Sequence, residues 1–450
     1  MASTAVRDVV VVGAGLAGLT AARALRAAGR SVVVVEARGR VGGRTKLGSF
    51  HGAATDFGGQ WVGPTQSRVR AALAEHGLKT FRTWDEGAKL LELGGRARRY
   101  AGKVPSISLL QLAQIQLGLM YCDRRAAKVP PDAPWDADGA FELDHRSLER
   151  FRATILRDRA TRALFDVSVR TVFGAEPAEL SALWFLHYMN TGGGFAAHTD
   201  IDGGAQQDRV VEGAGSLAQR LAASLGDELV LDAPVSSIAQ ADDEVTVTHA
   251  KGEHRARFAV VAVPPALAGR IAWSPSLPQP RRRLFERSPM GATIKLFAAY
   301  DRPFWREAGL SGEAVSDGGP LSFTVDNSAW DGSSPSLLGF IVGKHAHRWV
   351  VSDPEERMLA AKAQLARWFG PRAREPLSVH VEDWGEDPWT GGCPVANPLP
   401  GALSEFGPLL RAPMGRVHWA GTETAVEWTG YMEGAMESGE RAAREVLQRA

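Results

Sequence analysis

The sequence has little of several features that would assign a protein class at once. It contains two cysteines in 450 residues, Cys122 and Cys393, which are too few for a disulfide framework and favour a reducing, cytoplasmic location. The 52 basic and 51 acidic residues leave a net charge of +1, so neither a nucleic-acid-binding surface nor a polybasic membrane surface is predicted. No uninterrupted apolar run reaches about eighteen residues, the length that a membrane-spanning helix needs.

The most apolar helical stretch, residues 107–121, is interrupted by Gln111, Gln114 and Gln116, which predicts an amphipathic helix at the surface or along a channel and not a membrane span. The first strand is expected from about Asp8, which leaves no room for a secretory leader before it. With 44% apolar and 23% charged residues, the composition is that of a globular protein, and the length allows two or three cores.

Glycine, by contrast, is abundant, and its placement near the N-terminus is informative. Gly13, Gly15 and Gly18 follow a β-branched run and open a helical stretch, and a second β-branched strand then ends in Glu36. In such a unit the first glycine allows a tight turn, the second lets the backbone approach a pyrophosphate, and the third permits close helix–strand packing. A carboxylate in the position of Glu36 accepts hydrogen bonds from ribose hydroxyls. The pattern predicts an α/β fold with a Rossmann-type nucleotide-binding domain.

Two continuations favour FAD over a shorter nucleotide. Gly43 and Arg44 follow the second strand, and an arginine there suits the phosphates or ribityl chain of a longer ligand. Arg38 is either a contact of the same kind or part of a solvated charged loop. Near the C-terminus, residues 421–424 and 428–434 are again rich in glycine. This indicates that the C-terminal segment completes the nucleotide site that the N-terminal unit begins.

Between these ends the pattern alternates between helical and strand-rich stretches. Helical patterns dominate from 109 to 186, and a glycine-rich crossing follows near 192–204. Further strands are predicted at 229–235, 245–249, 258–263, 293–300 and 337–342, and helices at 216–225 and 355–369. We expect two interleaved domains: an FAD-binding domain from residues 1–80, 205–280 and 385–450, and a substrate-binding domain of mixed sheet and helices from 81–204 and 281–384.

Several motifs, taken together, resemble the flavin-dependent monoamine oxidases: the glycine fingerprint, Gly58-Gly59-Gln60-Trp61-Val-Gly-Pro-Thr-Gln66, Ser181-Ala-Leu-Trp-Phe185, Met290-Gly-Ala-Thr-Ile-Lys295 and the C-terminal block. The resemblance covers nearly the whole chain and is to the bacterial branch, which lacks the C-terminal membrane helix of the mitochondrial members. It implies an FAD cofactor, a small amine and O2 as reactants, and leaves a homodimer open. The cofactor-binding residues that it implies are Gly13, Gly15, Gly18, Glu36, Ala37, Arg38, Gly43, Arg44, Gly59, Gln60, Trp61, Val235, Cys393, Gly421, Thr422, Glu423, Thr424, Tyr431 and Met432.

The resemblance also implies the chemistry. The amine would lose hydride equivalents from its α-carbon to flavin N5, the imine would hydrolyse to an aldehyde or ketone, and O2 would be reduced to H2O2. On its pattern alone, Lys295 is a lysine on a solvated sheet face. The family instead implies a lysine that holds a water next to flavin N5, with a pKa lowered by burial. Trp384 and Tyr431 match the family's aromatic residues beside the flavin.

The largest departure from the family lies at Cys393 and Pro394. Cys393 aligns with the cysteine that carries the flavin in the mammalian enzymes, and covalent attachment here is left open, whereas Cys122 is expected to be structural. Pro394 replaces the second tyrosine of an aromatic cage, so amine recognition should differ and admit bulkier substrates. The other pocket residues implied by the family are Thr171, Val172, Thr199, Gln206 and Phe340. No metal is predicted, and His187 and His198 are interpreted as structural because their spacing is not that of metal ligands.

Three alternatives remain at this stage. An amino-acid oxidase would need an arginine that grips a carboxylate, and a polyamine oxidase would need acidic residues along a tunnel. A catalytically silent flavin-binding module is the third interpretation, although Lys295 and the C-terminal aromatic residues are retained.

Overall fold

The computed structural model describes residues 6–102 and 107–449. Its strands are β1 (Arg7–Val12), β2 (Val32–Val35), β3 (Leu47–Phe50), β4 (Ala53–Asp56), β5 (Trp61–Val62), β6 (Thr80–Arg82), β7 (Ala88–Leu93), β8 (Arg96–Tyr100), β9 (Asp208–Val210), β10 (Leu229–Val230), β11 (Val235–Gln240), β12 (Val245–His249), β13 (Gly252–Val261), β14 (Ala272–Ser274), β15 (Thr293–Ala299), β16 (Leu310–Ser316), β17 (Phe323–Asp326), β18 (Ser336–Val342), β19 (Ser378–Asp383) and β20 (Val417–Trp419).

The α-helices are α1 (Leu16–Ala27), α2 (Ser67–Glu75), α3 (Leu109–Ala126), α4 (Ala140–Asp144), α5 (Leu148–Ala153), α6 (Arg159–Phe173), α7 (Ala182–Gly192), α8 (Phe195–Thr199), α9 (Gly215–Ala222), α10 (Pro265–Ala268), α11 (Gln279–Glu286), α12 (Phe304–Glu307), α13 (Lys344–Val351), α14 (Pro354–Phe369), α15 (Ala402–Phe406) and α16 (Met432–Leu447). Short 3₁₀ turns cover Pro134–Asp136, Gly226–Glu228, Pro371–Arg374, Gly407–Leu410 and Thr422–Thr424.

The first sheet has the strand order β10–β2–β1–β13–β12–β11–β14, with β20 also paired to β13. Its centre is parallel, since β1 pairs in parallel with both β2 and β13. Along β1, Val9 and Val11 belong to one hydrophobic core and Val10 and Val12 to another, so the sheet is buried on both faces. This is what the unbroken β-branched runs predict.

The second sheet has the order β19–β15–β18–β17–β16–β7–β8 and is antiparallel apart from the β16–β7 pair. Its strands come from residues 88–100, 293–342 and 378–383, whereas those of the first sheet come from 7–35, 229–274 and 417–419. The separation of the two sheets along the chain agrees with two interleaved units. The domain boundaries themselves stay a prediction.

The C-terminal helix α16 lies against α1. A Cβ added to Gly439 of α16 would sit 2.3 Å from the carbonyl oxygen of Ala17, so the two helices approach at backbone distance. Their buried side chains share one core with the first sheet. This packing carries residues 421–432 back to the β1–α1 turn.

Several predicted elements have other bounds in the structure. The strand predicted at 258–263 is the end of the longer β13, and the helix predicted at 216–225 ends at Ala222. The strand predicted at 229–235 stops at Val230, and β11 begins anew at Val235. Asp232 between them has a φ of +50°, and Pro234 has no N–H for a ladder, so the chain turns there. The amphipathic helix predicted at 107–121 begins at Leu109 and extends to Ala126.

The glutamines of this helix have structural roles. Gln111 forms a capping box with Ser108 at the start of α3. Gln114 accepts hydrogen bonds from the backbone N–H groups of Arg157 and Asp158, at 3.1 and 3.0 Å, and so fastens α3 to the turn before α6. Across residues 6–102 and 107–449, no helix combines the length and the apolarity that crossing a membrane requires.

Candidate active site

The turn between β1 and α1 has the geometry that its glycines predict. Gly13 has a φ of +101°, and a Cβ there would lie 2.8 Å from the carbonyl oxygen of Ala262. A Cβ on Gly18 would lie 1.9 Å from the carbonyl oxygen of Gly13, so a larger residue would push α1 away from the turn. Gly15 lines a large cavity, and none of the neighbouring groups lies within 4 Å of the position that its Cβ would take. These glycines form a tight turn with one open face.

The N-terminus of α1 is left uncapped by side chains. Gly15 occupies its N-cap, where no side-chain hydrogen bond forms, whereas Asp158 and Asp353 cap α6 and α14. The first-turn residues Leu16 and Ala17 line the cavity. Unpartnered N–H groups at a helix N-terminus, together with the positive end of the helix dipole, form a site for an anion such as a pyrophosphate.

The acidic residue at the end of β2 is buried and anchored. One Glu36 carboxylate oxygen accepts from the backbone N–H of Ala14 at 2.8 Å, and the other accepts from that of Arg38 at 3.0 Å. The Arg38 guanidinium donates to both oxygens of Asp387, at 2.6 and 3.1 Å, and its side chain is 12% exposed. The interpretation of Arg38 as part of a solvated loop is therefore wrong. Glu36, Ala37 and Arg38 all line the cavity.

A buried ion pair joins three distant segments of the chain. The guanidinium of Arg44 donates to both carboxylate oxygens of Glu423, at 2.7 and 3.1 Å, and to the carbonyl oxygen of Pro394 at 2.7 Å. Glu423 also accepts from the backbone N–H of Ala396 at 3.1 Å. Burial acts to raise the pKa of Glu423, but the charge of Arg44, its hydrogen bonds and the backbone N–H of Ala396 together outweigh burial and leave that pKa lowered.

Two of the predicted cofactor contacts lie one layer behind the cavity wall. Glu423 is turned towards Arg44, and Arg44 lines the cavity. The hydroxyl of Thr424 donates to the carbonyl oxygen of Gly421 at 2.8 Å and accepts from Arg441. Both side chains are engaged in holding the wall, so their contribution to a ligand is indirect. The third residue outside the lining, Gly18, has the packing role described above.

One cavity of about 980 Å³ runs from the β1–α1 turn to the second sheet. This volume is at the upper end for ligand sites. Most of the cofactor-binding residues predicted from the sequence lie on its wall: Gly13, Gly15, Glu36, Ala37, Arg38, Gly43, Arg44, Gly59, Gln60, Trp61, Val235, Cys393, Gly421, Thr422, Tyr431 and Met432. The predicted substrate-side residues lie there as well: Thr171, Val172, Thr199, Gln206, Lys295, Phe340, Trp384 and Pro394.

Lys295 is 4% exposed, so the solvated-lysine alternative is wrong. Its Nζ donates to the carbonyl oxygen of Gly58 and to Oε1 of Gln60, each at 2.7 Å, and to the carbonyl oxygen of Asp56 at 3.2 Å. It also lies 5.6 Å from the ring centre of Phe340. Burial lowers the pKa of Lys295 to about 8, against a smaller opposing effect of the Asp56 charge.

Two predicted aromatic residues are fixed by hydrogen bonds. The indole N–H of Trp384 donates to the carbonyl oxygen of Phe57 at 3.1 Å. The hydroxyl of Tyr431 lies 2.9 Å from Nδ1 of His198. Trp61, which also lines the cavity, stacks on Phe340 with ring centres 5.8 Å apart. The substrate end of the cavity therefore has oriented aromatic surfaces.

The polar residues of the substrate end expose little polarity to the cavity. The hydroxyls of Thr171 and Thr199 donate to the carbonyl oxygens four residues earlier in their helices, at 2.9 and 3.2 Å. The side-chain N–H of Gln206 donates to the carbonyl oxygen of His198 at 3.0 Å. Its Oε1 is buried and has no hydrogen-bond partner among the described residues. Gln206 therefore offers one acceptor to a ligand.

The two cysteines differ in position but both line the cavity. Cys393 is half-buried, and burial raises the pKa of its thiol to about 11 against the opposing charges of Arg44 and Lys295. Cys122, on α3, is buried, and burial raises the pKa of its thiol to about 12. A neutral thiol packs as a small apolar group, which agrees with a structural role for Cys122.

The sequence interpretation missed the face of α3 that borders the cavity. Ile115, Leu119 and Cys122 lie on it at helical spacing. That periodicity identifies a buried face but cannot show that the face borders a cavity. It also missed the contact of His198 with Tyr431, which joins residues 233 positions apart. In the part of the chain that the structure describes, no group of three or more histidine, cysteine, aspartate or glutamate residues could hold a metal.

The residues present fit FAD on structural grounds. An uncapped helix N-terminus, a glycine turn with an open face and the buried carboxylate of Glu36 lie at one end of a single cavity. The other end is lined by aromatic and aliphatic residues around a buried lysine. A nucleotide-binding Rossmann unit joined to an enclosed apolar pocket defines a dinucleotide-dependent enzyme.

Comparison with known proteins gives the family. Residues 16–447 match the family described as flavin containing amine oxidoreductase. A probable flavin-containing monoamine oxidase A of Dictyostelium discoideum is 39% identical, over 98% of this chain and 97% of that one. Wild-type putrescine oxidase bound to putrescine superposes with a TM-score of 0.96 at 32% identity, covering 99% of this chain and 100% of that one. Cyclohexylamine oxidase from Brevibacterium oxydans gives a TM-score of 0.94 at 33% identity and 99% coverage of both.

The chain belongs to the flavin-containing amine oxidoreductases. It is an FAD-dependent amine oxidase with the mixed α/β fold of that family, as predicted from its motifs. The interpretation as a silent flavin-binding module is not favoured by these findings.

Proposed function

We propose that the substrate end of the cavity takes a neutral monoamine with an apolar substituent. The observation that carries this proposal is the wall beside Lys295: apolar and aromatic groups, threonines whose hydroxyls are bonded to their own helices, and Gln206, whose buried Oε1 has no hydrogen-bond partner among the described residues. An amide oxygen without a partner suits the N–H of an uncharged amine. The apolar wall favours burial of a hydrocarbon group by about 25 cal/mol per Å².

Two ion pairs include charged residues of the cavity wall. Lys89 lies 2.7 Å from Glu313, with both side chains nearly buried, and Arg152 lies 2.6 Å from Asp166. An arginine already bonded to a carboxylate is poorly suited to grip the carboxylate of an amino acid. A glutamate neutralised by a lysine is poorly suited to bind the second ammonium of a diamine. These pairs favour a monoamine over the two alternative substrate classes.

The nucleotide end is assigned to FAD. The N-terminus of α1 would receive the pyrophosphate, and Glu36 would accept from a ribose hydroxyl. When bound, the flavin supplies the oxidation of the amine and the reaction with O2. Residues at the other end orient the reactants: Tyr431, Trp384 and Phe340 bound the path of the amine, and the cavity excludes water.

Lys295 is assigned to the oxygen reaction. Its three protein acceptors match the three N–H groups of an ammonium, so a bound water would replace the longest contact, the 3.2 Å bond to Asp56. A pKa near 8 lets this group change protonation close to neutral pH. These features support a lysine that places a water and a proton beside the cofactor.

We propose further that Cys393 carries the FAD covalently, because its thiol lines the cavity and the positive charges of Arg44 and Lys295 both act to lower its pKa against the effect of burial. The unpaired state of both cysteines supports a cytoplasmic location. The division into domains and the homodimer remain predictions of the sequence.

A peroxide-release screen tests the substrate class. Purified holoenzyme is given matched sets of amines: cyclic and straight-chain primary amines, α,ω-diamines of the same length, and amino acids. We expect the highest kcat/KM for apolar monoamines, at least about tenfold above that of the matched diamine, since burying the second charge costs more than 1.4 kcal/mol. Equal or better turnover of the diamine or the amino acid would overturn the proposal.

A further inference from the structure

A histidine contacts the aromatic wall at the substrate end. His198 lies on the short helix α8, is 0% exposed, and places Nδ1 at 2.9 Å from the Tyr431 hydroxyl. Its ring centre lies 5.3 Å from that of Tyr431 and 5.1 Å from that of Tyr188. Both His198 and Tyr431 line the cavity. The contact therefore lies on the cavity wall and not in a remote core.

Two glycines leave room for this cluster. A Cβ on Gly192 would lie 2.5 Å from both Cε1 and Nε2 of His198, and a Cβ on Gly430 would lie 2.1 Å from the hydroxyl of Tyr188. Trp428 packs edge-on against the imidazole with ring centres 5.3 Å apart. Because the imidazole is enclosed on these sides, its ring plane is fixed by packing as well as by the hydrogen bond.

The direction of the hydrogen bond depends on the tautomer of the imidazole: Nδ1 accepts from the Tyr431 hydroxyl when Nε2 carries the proton. Burial lowers the pKa of His198 to about 4, so the ring is uncharged near neutral pH. A neutral imidazole has one acceptor nitrogen, and a phenol has one O–H to donate. With Nδ1 as the acceptor, the O–H of Tyr431 points at His198 and holds the phenol ring in one orientation.

We propose that His198 is a positioning residue, whose Nδ1 accepts the hydrogen bond of the Tyr431 hydroxyl and thereby fixes the ring that bounds the path of the amine. The inference rests on the proposed role of Tyr431 in the substrate pocket. The proposal requires a hydrogen-bond acceptor at the position of His198 Nδ1, and it places no requirement on the rest of the side chain.

Four holoenzyme variants test this requirement. His198→Leu removes the acceptor and fills the space, His198→Asn restores an acceptor at the same distance from the backbone, and Tyr431→Phe removes the donor. The fourth variant combines His198→Leu with Tyr431→Phe. His187→Leu is the matched control, because His187 is also buried, 2% exposed, and lies on the neighbouring helix α7.

The first readout is the anaerobic rate of flavin reduction together with the Kd of a non-oxidisable amine. We expect His198→Leu to slow reduction about five- to tenfold, the value of one hydrogen bond. His198→Asn should stay within about twofold of wild type, and the double variant should be no slower than Tyr431→Phe alone. The proposal would be overturned if the Leu and Asn variants slowed flavin reduction equally. It would also be overturned if the effects of the two single changes added in the double variant.

The second readout is independent of turnover. In protein labelled with 15N-histidine, the Nδ1 resonance of His198 should shift in Tyr431→Phe, while that of His187 should not. An unmoved His198 resonance would overturn the hydrogen bond itself. If no amine is oxidised in the peroxide screen but the resonance shifts, the assigned substrate class fails while the His198–Tyr431 bond stands.

Discussion

Removing the charge of Glu423 gives the sharpest test of how the cavity wall is held together. Glu423→Gln keeps the shape of the side chain and one acceptor for Arg44, but it leaves the Arg44 guanidinium without its counter-charge. The Glu423 side chain is 3% exposed and that of Arg44 is 21% exposed, so water can compensate only in part. Breaking a buried pair by changing one partner costs about 3–5 kcal/mol. We expect the lower end, about 3 kcal/mol, because Arg44 is not fully buried and Gln retains one acceptor.

That free energy translates into a measurable change in melting temperature. Unfolding entropy of about 2.1 cal/mol/K per residue gives about 0.9 kcal/mol/K for this chain, so 3 kcal/mol corresponds to about 3 °C. The assay is thermal unfolding of the holoenzyme at a fixed excess of FAD, since bound cofactor itself raises the melting temperature.

Glu75→Gln supplies the matched control. Glu75 pairs with Arg23 at 2.6 Å, but the two side chains are 52% and 45% exposed, so solvent screens the pair and its loss should shift the melting temperature by about 1 °C or less. A Glu423→Gln shift no larger than that of the control would refute the reasoning.

The pH dependence gives an independent check with a fixed sign. The pKa of Glu423 is lowered in the folded protein from its ordinary value of 4.5, because the charge of Arg44, its hydrogen bonds and the backbone N–H of Ala396 together outweigh burial. A lowered carboxylate pKa contributes stability that is fully present well above the unfolded value and is lost as the pH falls through the folded one. The advantage of wild type over Glu423→Gln should therefore persist at pH 6–8 and shrink below pH 4.5. An advantage that grew on acidification would contradict the pairing.

Three further predictions concern the substrate end and the cofactor. Lys295→Met should slow flavin reoxidation by O2. In stopped-flow traces, the ratio of the wild-type reoxidation rate to that of the variant should fall as the pH rises through about 8, where Lys295 loses its charge. Equal reoxidation rates at all pH values would count against the assigned role. In Cys393→Ala, acid denaturation and filtration should release the yellow colour that wild type retains, and release from wild type too would contradict the covalent link. Pro394→Tyr should raise KM for bulky cyclic amines about tenfold and leave that of small straight-chain amines within twofold, because the added ring narrows the path; a uniform change would refute this.

The sequence was most informative where local geometry determines the structure. The tight turn at Gly13, the close packing at Gly18 and the buried parallel strands each follow from a rule that acts within a few residues. The alternation along β15 also assigned the faces of the strand correctly, since Ile294 and Leu296 share one core and Phe297 another. It could not show that the face of Lys295 borders a cavity, because alternation separates two faces without stating what covers them.

The rest of the site depends on contacts that no local pattern records. Arg44 and Glu423 lie 379 positions apart, and His198 and Tyr431 lie 233 apart. Glycine-rich stretches predicted a crossing near residues 192–204, but α8 within it is only five residues long. Such a short helix has too few turns to show a periodic pattern. The break at Asp232 was missed for a different reason, since a positive φ at a non-glycine residue is uncommon.

The two ends of the cavity are therefore specified in different ways. The nucleotide end is built largely from backbone features, namely an uncapped helix and a glycine turn, together with the buried carboxylate of Glu36. The substrate end is built from side chains such as Thr171 and Gln206, which are held by bonds to their own helices or to a neighbouring carbonyl oxygen. Each of these side chains is exchangeable without disturbing the turn that would bind the pyrophosphate. It follows that substitutions at the substrate end should alter which amine is oxidised well before they weaken the binding of FAD.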